Sequence, residues 1–191
     1  MKIIIKTGLV ALMLLAISCT KESSIKTSSP QLQASTEQAL SFHIGQHHGG
    51  GIIFYIDSTG QHGLIADTVD LPTATWWNGT YIVTGVTATR IGKGKANTKK
   101  IILSQGATGS YAALECTNST SSGKTDWFLP SKDELNALYQ QQNVVGGFAI
   151  NYYWSSSETN NYFAWFQNFY NGNQLNDYKS NAYNVRAVRA F

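Results

Sequence analysis

The sequence has its most specific local pattern in DWFLPSKDELNALY, residues 126–139. Ser131 is followed three residues later by Glu134, which is the spacing of a capping box. In that motif each side chain accepts a hydrogen bond from the backbone N–H of the other residue. The apolar residues that follow at helical spacing are Leu135, Leu138 and Tyr139. The pattern therefore predicts a helix that begins after Ser131 and buries one face against another element.

Apolar runs earlier in the chain predict strands. Residues 52–57 (IIFYID) and 62–66 (HGLIA) flank a short turn-forming segment, which is typical of a β-hairpin. The runs are continuous rather than alternating, so we expect both faces of these strands to be covered. Two further helices are predicted, one over residues 97–106 and one that runs to residue 116 with Ser110 as its N-cap. This combination indicates an α+β fold.

Residues 151–191 are richer in Asn and Tyr than any other part of the chain. Flat amphipathic rings and short amides are the side chains that adaptable binding surfaces use. Strand alternation separates the side chains near the middle of this segment into two sets. Trp165 and Phe169 are assigned to the core. Phe166, Asn168 and Tyr170 are assigned to a ligand-binding face.

The end of this segment has its own strand and arginine patterns. Asn171-Gly172 favours a hairpin turn between two strands. Val185 and Val188 are three residues apart, and a bulge would bring both into the core. Arg186 and Arg189 either bind an anion or pair with buried acids and carbonyls.

The first residues resemble an export signal. Lys2 and Lys6 precede a short apolar stretch at residues 9–17, and small residues then lead to Cys19. The cysteine resembles that of a bacterial lipobox, which predicts lipidation of Cys19 and an envelope protein held by its acyl chains. A plain secretory signal is the alternative. Because the next residue is not aspartate, an outer-membrane destination is favoured, and Lys21-Glu22 weakly resembles a signal for surface export.

Composition predicts the domain boundaries. Residues 1–18 are interpreted as the lipoprotein signal peptide, residues 19–43 as the lipidated cysteine with a flexible tether, and residues 44–191 as the ligand-binding domain. The formal net charge of +3 includes the two lysines of the signal peptide, so the remaining charge is nearly balanced. Charge therefore indicates no particular partner, and export argues against nucleic acid.

Three groups of chemically notable residues receive structural interpretations. A basic cluster between residues 90 and 100 is interpreted as a solvated surface, with polyanion binding as the alternative. His43, His47 and His48 lack acidic or cysteine partners at zinc spacing, so no metal site is predicted. Cys116 lies in an apolar helical pattern and is predicted to be a buried, unreactive thiol. The basic cluster consists of Arg90, Lys93, Lys95, Lys99 and Lys100.

Four segments together resemble one bacterial family. They are GGIIFY at 50–55, DWFLPS at 126–131, YWSS at 153–156 and VRAVR at 185–189. In this order they resemble the domains typified by the C-terminal domain of collagen-like adhesins (Lcl C-terminal-like). The resemblance implies a C-type-lectin-like α+β fold, in which two or three helices pack on a small twisted antiparallel sheet and a loop-rich face binds ligands. It implies no reaction.

Related families limit the expected chemistry. The calcium-dependent sugar motifs of animal C-type lectins, Glu-Pro-Asn and Trp-Asn-Asp, do not occur in the sequence, so calcium-mediated sugar binding is not expected. Formylglycine-generating enzymes need catalytic cysteines, and the lone Cys116 argues against that activity. The other titratable candidates, His43, His47, His48 and Glu158, form no catalytic motif. No enzymatic activity and no cofactor are therefore predicted.

The C-terminal segment also resembles the variable proteins of diversity-generating retroelements, which carry hypermutated residues on a lectin-like scaffold. Adenine-directed mutagenesis of Asn codons yields Asn, Tyr, Ser and Asp, but a fixed binding face explains the same composition. Both interpretations stay open. The predicted ligand-binding residues are Asn160, Asn161, Tyr162, Phe166, Asn168, Tyr170, Asn173, Asn176, Tyr178, Asn181 and Tyr183.

The sequence as a whole predicts a lipid-anchored cell-envelope binding protein, an adhesin or receptor, that presents this face to an extracellular glycan or protein. The alternatives are a retroelement-diversified surface receptor and an enzyme on a formylglycine-generating-enzyme-like scaffold. The predicted membrane contact is the lipid anchor alone, and the oligomeric state is open.

Overall fold

The strands of this chain form two separate sheets. A computed structural model describes residues 41–191, so the predicted signal peptide, Cys19 and nearly all of the tether lie outside the described residues. In chain order the strands are β1 (His47–His48), β2 (Gly51–Ile56), β3 (Gly63–Ala66), β4 (Leu71–Thr75), β5 (Tyr152–Glu158), β6 (Phe163–Asn168), β7 (Gln174–Tyr178), β8 (Ala182–Val185) and β9 (Val188–Ala190). With the helices described below, they make an α+β domain, as predicted.

The first sheet has four antiparallel strands in the order β1-β2-β3-β9. It contains the predicted hairpin, which is confirmed as β2 and β3. All four residues of β3 are buried, in agreement with the continuous apolar run. Gly51 is required by close packing here, because a Cβ at this position would collide with the Ala66 carbonyl oxygen.

The second sheet has five strands in the order β4-β8-β5-β6-β7. Its neighbouring strands are antiparallel except β5 and β8, which run parallel. The prediction of a single antiparallel sheet is therefore wrong. The chain leaves the second sheet after Val185 and enters the first at Val188, so both valines are buried without a bulge. They belong to different apolar clusters, each of which contains residues from both sheets.

The helices of the described residues are α1 (Gly94–Gln105), α2 (Ala112–Asn118), α3 (Lys132–Gln140) and α4 (Gln142–Val145), with a short 3₁₀ turn at Ser121–Gly123. The capping box of α3 is confirmed, with both reciprocal hydrogen bonds present. Helix α1 begins earlier than predicted, although it does end before Gly106. Ser110 does not cap α2, because its hydroxyl donates to the Glu115 carboxylate at 2.7 Å.

We expect Ser131→Ala to lower the free energy of unfolding by about 1 to 2 kcal/mol, at the upper part of the range for lost N-caps. The Ser131 hydroxyl accepts from the Glu134 N–H and donates to the Arg90 carbonyl at 2.9 Å, so two backbone groups lose a partner. Urea unfolding measures the change. The matched control is Ser110→Ala, an exposed serine that caps no helix, for which we expect less than about 0.5 kcal/mol. Equal losses in both variants would contradict the capping role.

The second sheet corrects two side-chain assignments. Phe166 pairs with Trp154 across β5 and β6, so both rings share one face, and Phe166 is only 6% exposed. Its assignment to the ligand-binding face is therefore wrong. Trp165 is half-buried rather than in the core, and the Lys132 ammonium lies 4.6 Å from the centre of its ring. Phe169 follows the end of β6 and is buried as predicted, in the cluster that includes Leu135.

Candidate functional site

A long irregular connection between β4 and α1, residues 76–93, forms one side of the candidate site. Such a segment must satisfy its backbone N–H groups without a strand ladder. Glu158, at the end of β5, accepts from Thr84 N–H at 3.1 Å, from Val86 N–H at 3.2 Å and from Gly85 N–H. The carboxylate therefore holds the middle of the connection against the sheet.

A second buried carboxylate fixes the end of the same connection. Glu134 accepts from Gly92 N–H at 2.7 Å and from Ser131 N–H at 2.7 Å. Burial raises the pKa of this carboxyl above its usual range, although these hydrogen bonds oppose the shift. The acidic residue that caps α3 therefore also positions the loop that precedes α1.

A buried ion pair lies beneath the candidate site. Lys179 Nζ is 2.7 Å from the Glu158 carboxylate, and both side chains are inaccessible to solvent. The ammonium also donates to the Ile82 carbonyl at 3.1 Å and lies 4.5 Å from the centre of the Trp76 ring. Burial acts to raise the pKa of Glu158, but Lys179 and the Thr84 N–H outweigh it and hold the pKa below its usual range. Glu158 therefore has a structural role.

Five aromatic rings form a continuous row above this pair. The ring centroids are 3.9 Å apart for the first two members, then 5.1, 6.4 and 4.6 Å apart along the row. These separations are within or near the range of favourable aromatic pairs. The aromatic row consists, in this order, of Trp77, Tyr81, Tyr162, Phe163 and Tyr178.

The aromatic row is assembled from four parts of the chain. The β4–α1 connection contributes Trp77 and Tyr81, the β5–β6 turn contributes Tyr162, and β6 and β7 contribute one ring each. The Tyr81 hydroxyl donates to Ser180 Oγ at 3.0 Å, which ties the first part to the β7–β8 turn. Tyr162 is 47% exposed and Tyr178 50% exposed, whereas the other three rings are half-buried. The aromatic row is therefore a partly exposed apolar surface.

No charged side chain belongs to the aromatic row. Lys179 and Glu158 form a buried ion pair nearby, in which the two charges compensate each other. Asparagines lie next to the row in the chain, Asn160 and Asn161 in the β5–β6 turn and Asn181 in the β7–β8 turn. The surface can therefore offer ring faces and neutral hydrogen-bonding groups to a ligand.

The structure distributes the predicted ligand-binding residues over several places. Five of them lie in or beside the aromatic row: Asn160, Asn161, Tyr162, Tyr178 and Asn181. Three lie at the β6–β7 hairpin: Asn168, Tyr170 and Asn173. Asn176 is exposed in β7, while Phe166 and Tyr183 pack against each other within the second sheet. The eleven predicted ligand-binding residues therefore do not share one face.

Several of these asparagines stabilise turns. Asn160 Oδ1 accepts from the Tyr162 and Phe163 N–H groups at 2.8 and 3.0 Å. Asn168 Oδ1 accepts from the Tyr170 N–H at 2.8 Å. These are local Asx-type hydrogen bonds, which explain part of the Asn content without a ligand.

Tyr183 is also engaged internally. Its hydroxyl donates to the Asp177 carboxylate, and its ring lies 4.5 Å from that of Trp154. Burial, followed by the Asp177 charge, raises the pKa of Tyr183 to about 12. This tyrosine therefore supports the sheet rather than facing solvent.

The sequence interpretation missed three members of the aromatic row: Trp77, Tyr81 and Phe163. One signal for them is present in the sequence WWNG at residues 76–79, where two large rings come directly before a turn-forming Asn-Gly pair. The contact between Tyr81 and Tyr162 could not be predicted from the sequence, because it joins residues far apart in the chain.

Arg186 binds internal partners. It is buried between β8 and β9, and its guanidinium donates to the Asp70 carboxylate at 2.7 Å and to the Asp67 and Gly147 carbonyls at 3.0 and 2.6 Å. The guanidinium also lies 4.0 Å from the centre of the Phe148 ring. The geometry agrees with the structural alternative for this arginine.

Arg189 is similarly engaged. It makes a bidentate pair with Asp126 at 2.8 and 3.0 Å and donates to the Gly49 carbonyl at 2.6 Å. The Arg189 guanidinium holds the pKa of Asp126 below its usual range. Neither arginine is available for an external anion.

Other reactive groups do not gather into a site. Cys116 is fully buried, and burial raises the pKa of its thiol well above the usual value. Within residues 41–191, no three His, Cys, Asp or Glu side chains come together in a way that could hold a metal ion. The same residues include no helix that is both long and apolar enough to cross a membrane.

Comparison with known proteins gives a family and a structural likeness. No curated protein matches the chain. A fimbrial protein from Bacteroides ovatus is similar in structure, with a TM-score of 0.52 at 16% sequence identity. The match covers 72% of this chain and 43% of that one, so this chain spans less than half the length of its neighbour. At this identity the likeness concerns the fold alone.

The family comparison covers most of the described domain. The model of the Lcl C-terminal domain matches residues 68–189, which include both buried carboxylates, all five rings of the aromatic row and the strands β7 and β8. The resemblance seen in the sequence motifs is thereby confirmed: the chain belongs to the Lcl C-terminal domain family.

Proposed function

We propose that this protein is an adhesin-like binding protein of the cell surface, and that its aromatic row binds an extracellular glycan without catalysing a reaction. Membership of the Lcl C-terminal domain family and the fold likeness to a fimbrial protein support a surface role. The observation that carries the proposed site is the continuous, partly exposed aromatic row.

A neutral glycan fits the chemistry of this surface. Sugar rings have apolar faces that pack on aromatic side chains, and their hydroxyls exchange hydrogen bonds with amides. The row offers Tyr162 and Tyr178 as exposed rings, and asparagines lie next to it in the chain. A charged polysaccharide fits less well, since the row itself carries no charge.

The anchoring of the protein is part of the same proposal and depends on the sequence. Lipidation at Cys19 would hold the domain at the outer membrane, and the tether over residues 19–43 would give it reach. The C-type-lectin-like description of the fold likewise comes from the family resemblance. Mass spectrometry of the mature chain tests the anchor, because a triacylated Cys19 and an unmodified one differ by several hundred daltons or more.

The binding site is tested by the double variant Tyr162→Ala/Tyr178→Ala. Removing two exposed rings takes away the stacking surface, so we expect affinity for a neutral oligosaccharide to fall by about tenfold or more. The melting temperature should change little, because both side chains are about half exposed. A glycan array with the purified chain finds the ligand, and calorimetry measures the affinity.

The matched control is Tyr170→Ala. Tyr170 is 76% exposed and also belongs to the predicted ligand-binding residues, but it lies at the β6–β7 hairpin, beyond the opposite end of β6 from Tyr162. We expect it to bind the glycan as well as the unaltered protein does. Loss of binding in this control, with normal binding in the double variant, would move the site to the hairpin and refute the role of the aromatic row.

A further inference from the structure

A pocket that shares no residue with the aromatic row opens beside α1. Its volume is about 350 Å³, which falls within the range of small-molecule sites. Its apolar lining includes Ile102, Trp127 and Phe128. Leu103 also lines the pocket and is 76% exposed, so it lies at the mouth. Leu103 therefore extends the apolar lining of the pocket to its mouth.

Two lysines give this pocket its charge. Lys95 and Lys99 both line it, both are exposed, and they lie one helical turn apart on α1. Neither makes an ion pair with any residue in the described range 41–191. They are two members of the basic cluster recognised in the sequence, and the structure places them against apolar surface rather than in open solvent alone.

Three other polar side chains of the lining already have partners within the protein. The Asp126 carboxylate is held by Arg189 in the bidentate pair, which neutralises it. The Thr98 hydroxyl donates to the Leu129 carbonyl at 3.2 Å, and the Thr117 hydroxyl donates to the Ala113 carbonyl at 3.1 Å. The two ammonium groups are therefore the charges of the lining that make no ion pair, although Lys95 also acts on Asp126 at longer range and helps to lower the pKa of that carboxyl.

We propose that this pocket binds a small anionic amphiphile, an unbranched carboxylate with a medium-length alkyl chain. The alkyl chain packs against Ile102, Trp127 and Phe128, and the carboxylate lies between Lys95 and Lys99 at the mouth. Apolar contact stabilises the chain in proportion to the area removed from water, and the paired ammonium groups select an anionic head over a neutral one.

The test compares decanoate with decanol, which has the same chain and a neutral head. Calorimetry on the purified chain in detergent-free buffer gives the affinities, and amide NMR shifts locate the site. We expect decanoate to bind at least about tenfold more tightly than decanol, with a preference that weakens as salt is raised. Shortening decanoate by one methylene should weaken binding by up to about fourfold, the equivalent of about 0.8 kcal/mol.

Two variants separate the head group from the chain. Lys95→Gln/Lys99→Gln should remove the preference for decanoate while leaving decanol binding unchanged. Leu103→Glu places an acid at the exposed mouth and should weaken decanoate selectively. Arg90→Gln/Lys93→Gln makes the same change of charge within the basic cluster at residues that do not line the pocket, so decanoate should bind normally.

Several outcomes would overturn the proposal. They are equal binding of decanoate and decanol by the unaltered protein, equal loss in the Arg90/Lys93 control, and NMR shifts confined to residues away from α1 and residues 125–128. Sedimentation with anionic vesicles in the absence of decanoate binding would assign the lysines to a membrane surface and would equally exclude a pocket for a free carboxylate.

Discussion

Glu158→Gln is expected to lower the free energy of unfolding by about 3 to 5 kcal/mol, as is typical when one partner of a buried ion pair is removed. The variant keeps the shape of the side chain but leaves Lys179 buried without a counter-charge. It also replaces one acceptor oxygen by an NH₂ group that faces the N–H donors of the β4–α1 connection. Urea unfolding at neutral pH measures the loss.

The pH dependence gives this prediction a second readout. Because the pKa of Glu158 is lower in the folded protein than in the unfolded chain, its stabilisation is present above the unfolded value of about 4.3. It is lost as pH falls through the folded pKa. The difference between the unaltered protein and Glu158→Gln should therefore be largest near pH 7 and should shrink below about pH 4.

The control is the double variant Glu158→Gln/Lys179→Met. Replacing both charges removes the uncompensated ammonium, so we expect the double variant to be more stable than Glu158→Gln alone. The two residues are not coupled if the loss of unfolding free energy in the double variant equals the sum of the losses caused by the two single substitutions. In that case the argument from the ion pair fails.

Arg186→Ala is expected to cost a similar amount, about 3 to 5 kcal/mol, because it leaves several buried partners unsatisfied. The Asp70 carboxylate and the Asp67 and Gly147 carbonyls each lose a donor, and the Phe148 ring loses its stacked guanidinium. Arg186→Lys should restore only a small part of the lost stability. A single ammonium group cannot donate to all the acceptors that the planar guanidinium contacts.

The matched comparison is Arg189→Ala, three residues further along the chain. Arg189 makes a partly exposed pair with Asp126, so its removal should cost about 1 to 2 kcal/mol. Thermal and urea unfolding of the three variants test the order. If Arg189→Ala were as damaging as Arg186→Ala, burial would not be what distinguishes the two arginines.

Features encoded by neighbouring residues could be predicted from the sequence. The capping box joins Ser131 to Glu134, three residues apart, and the β2–β3 hairpin joins strands on either side of one turn. Each is decided by short-range geometry and therefore leaves a readable pattern. The same holds for the burial of Cys116 in an apolar helical pattern.

Features decided by distant residues could not be predicted in the same way. Phe166 alternates correctly with Trp165, but which of the two faces is covered depends on Trp154 and the helices, not on the strand itself. The aromatic row needs Tyr81 to meet Tyr162, and Tyr81 belongs to the β4–α1 connection, whose backbone is held by two glutamates from distant parts of the chain. Composition therefore indicated which residue types form a binding surface but not how they are arranged.

The four-stranded sheet also sets an order for folding. The edge strand β9 pairs with β3 and joins Leu64 to Ala190, so β3 acquires its second neighbour only after residues 188–190 have been synthesised. Until then β3 presents an open edge, which is a template for pairing with other chains. Contacts between such distant residues also slow folding. A nascent copy of this domain is therefore vulnerable to aggregation through the open edge of β3, and a chaperone that covers β3 would protect it.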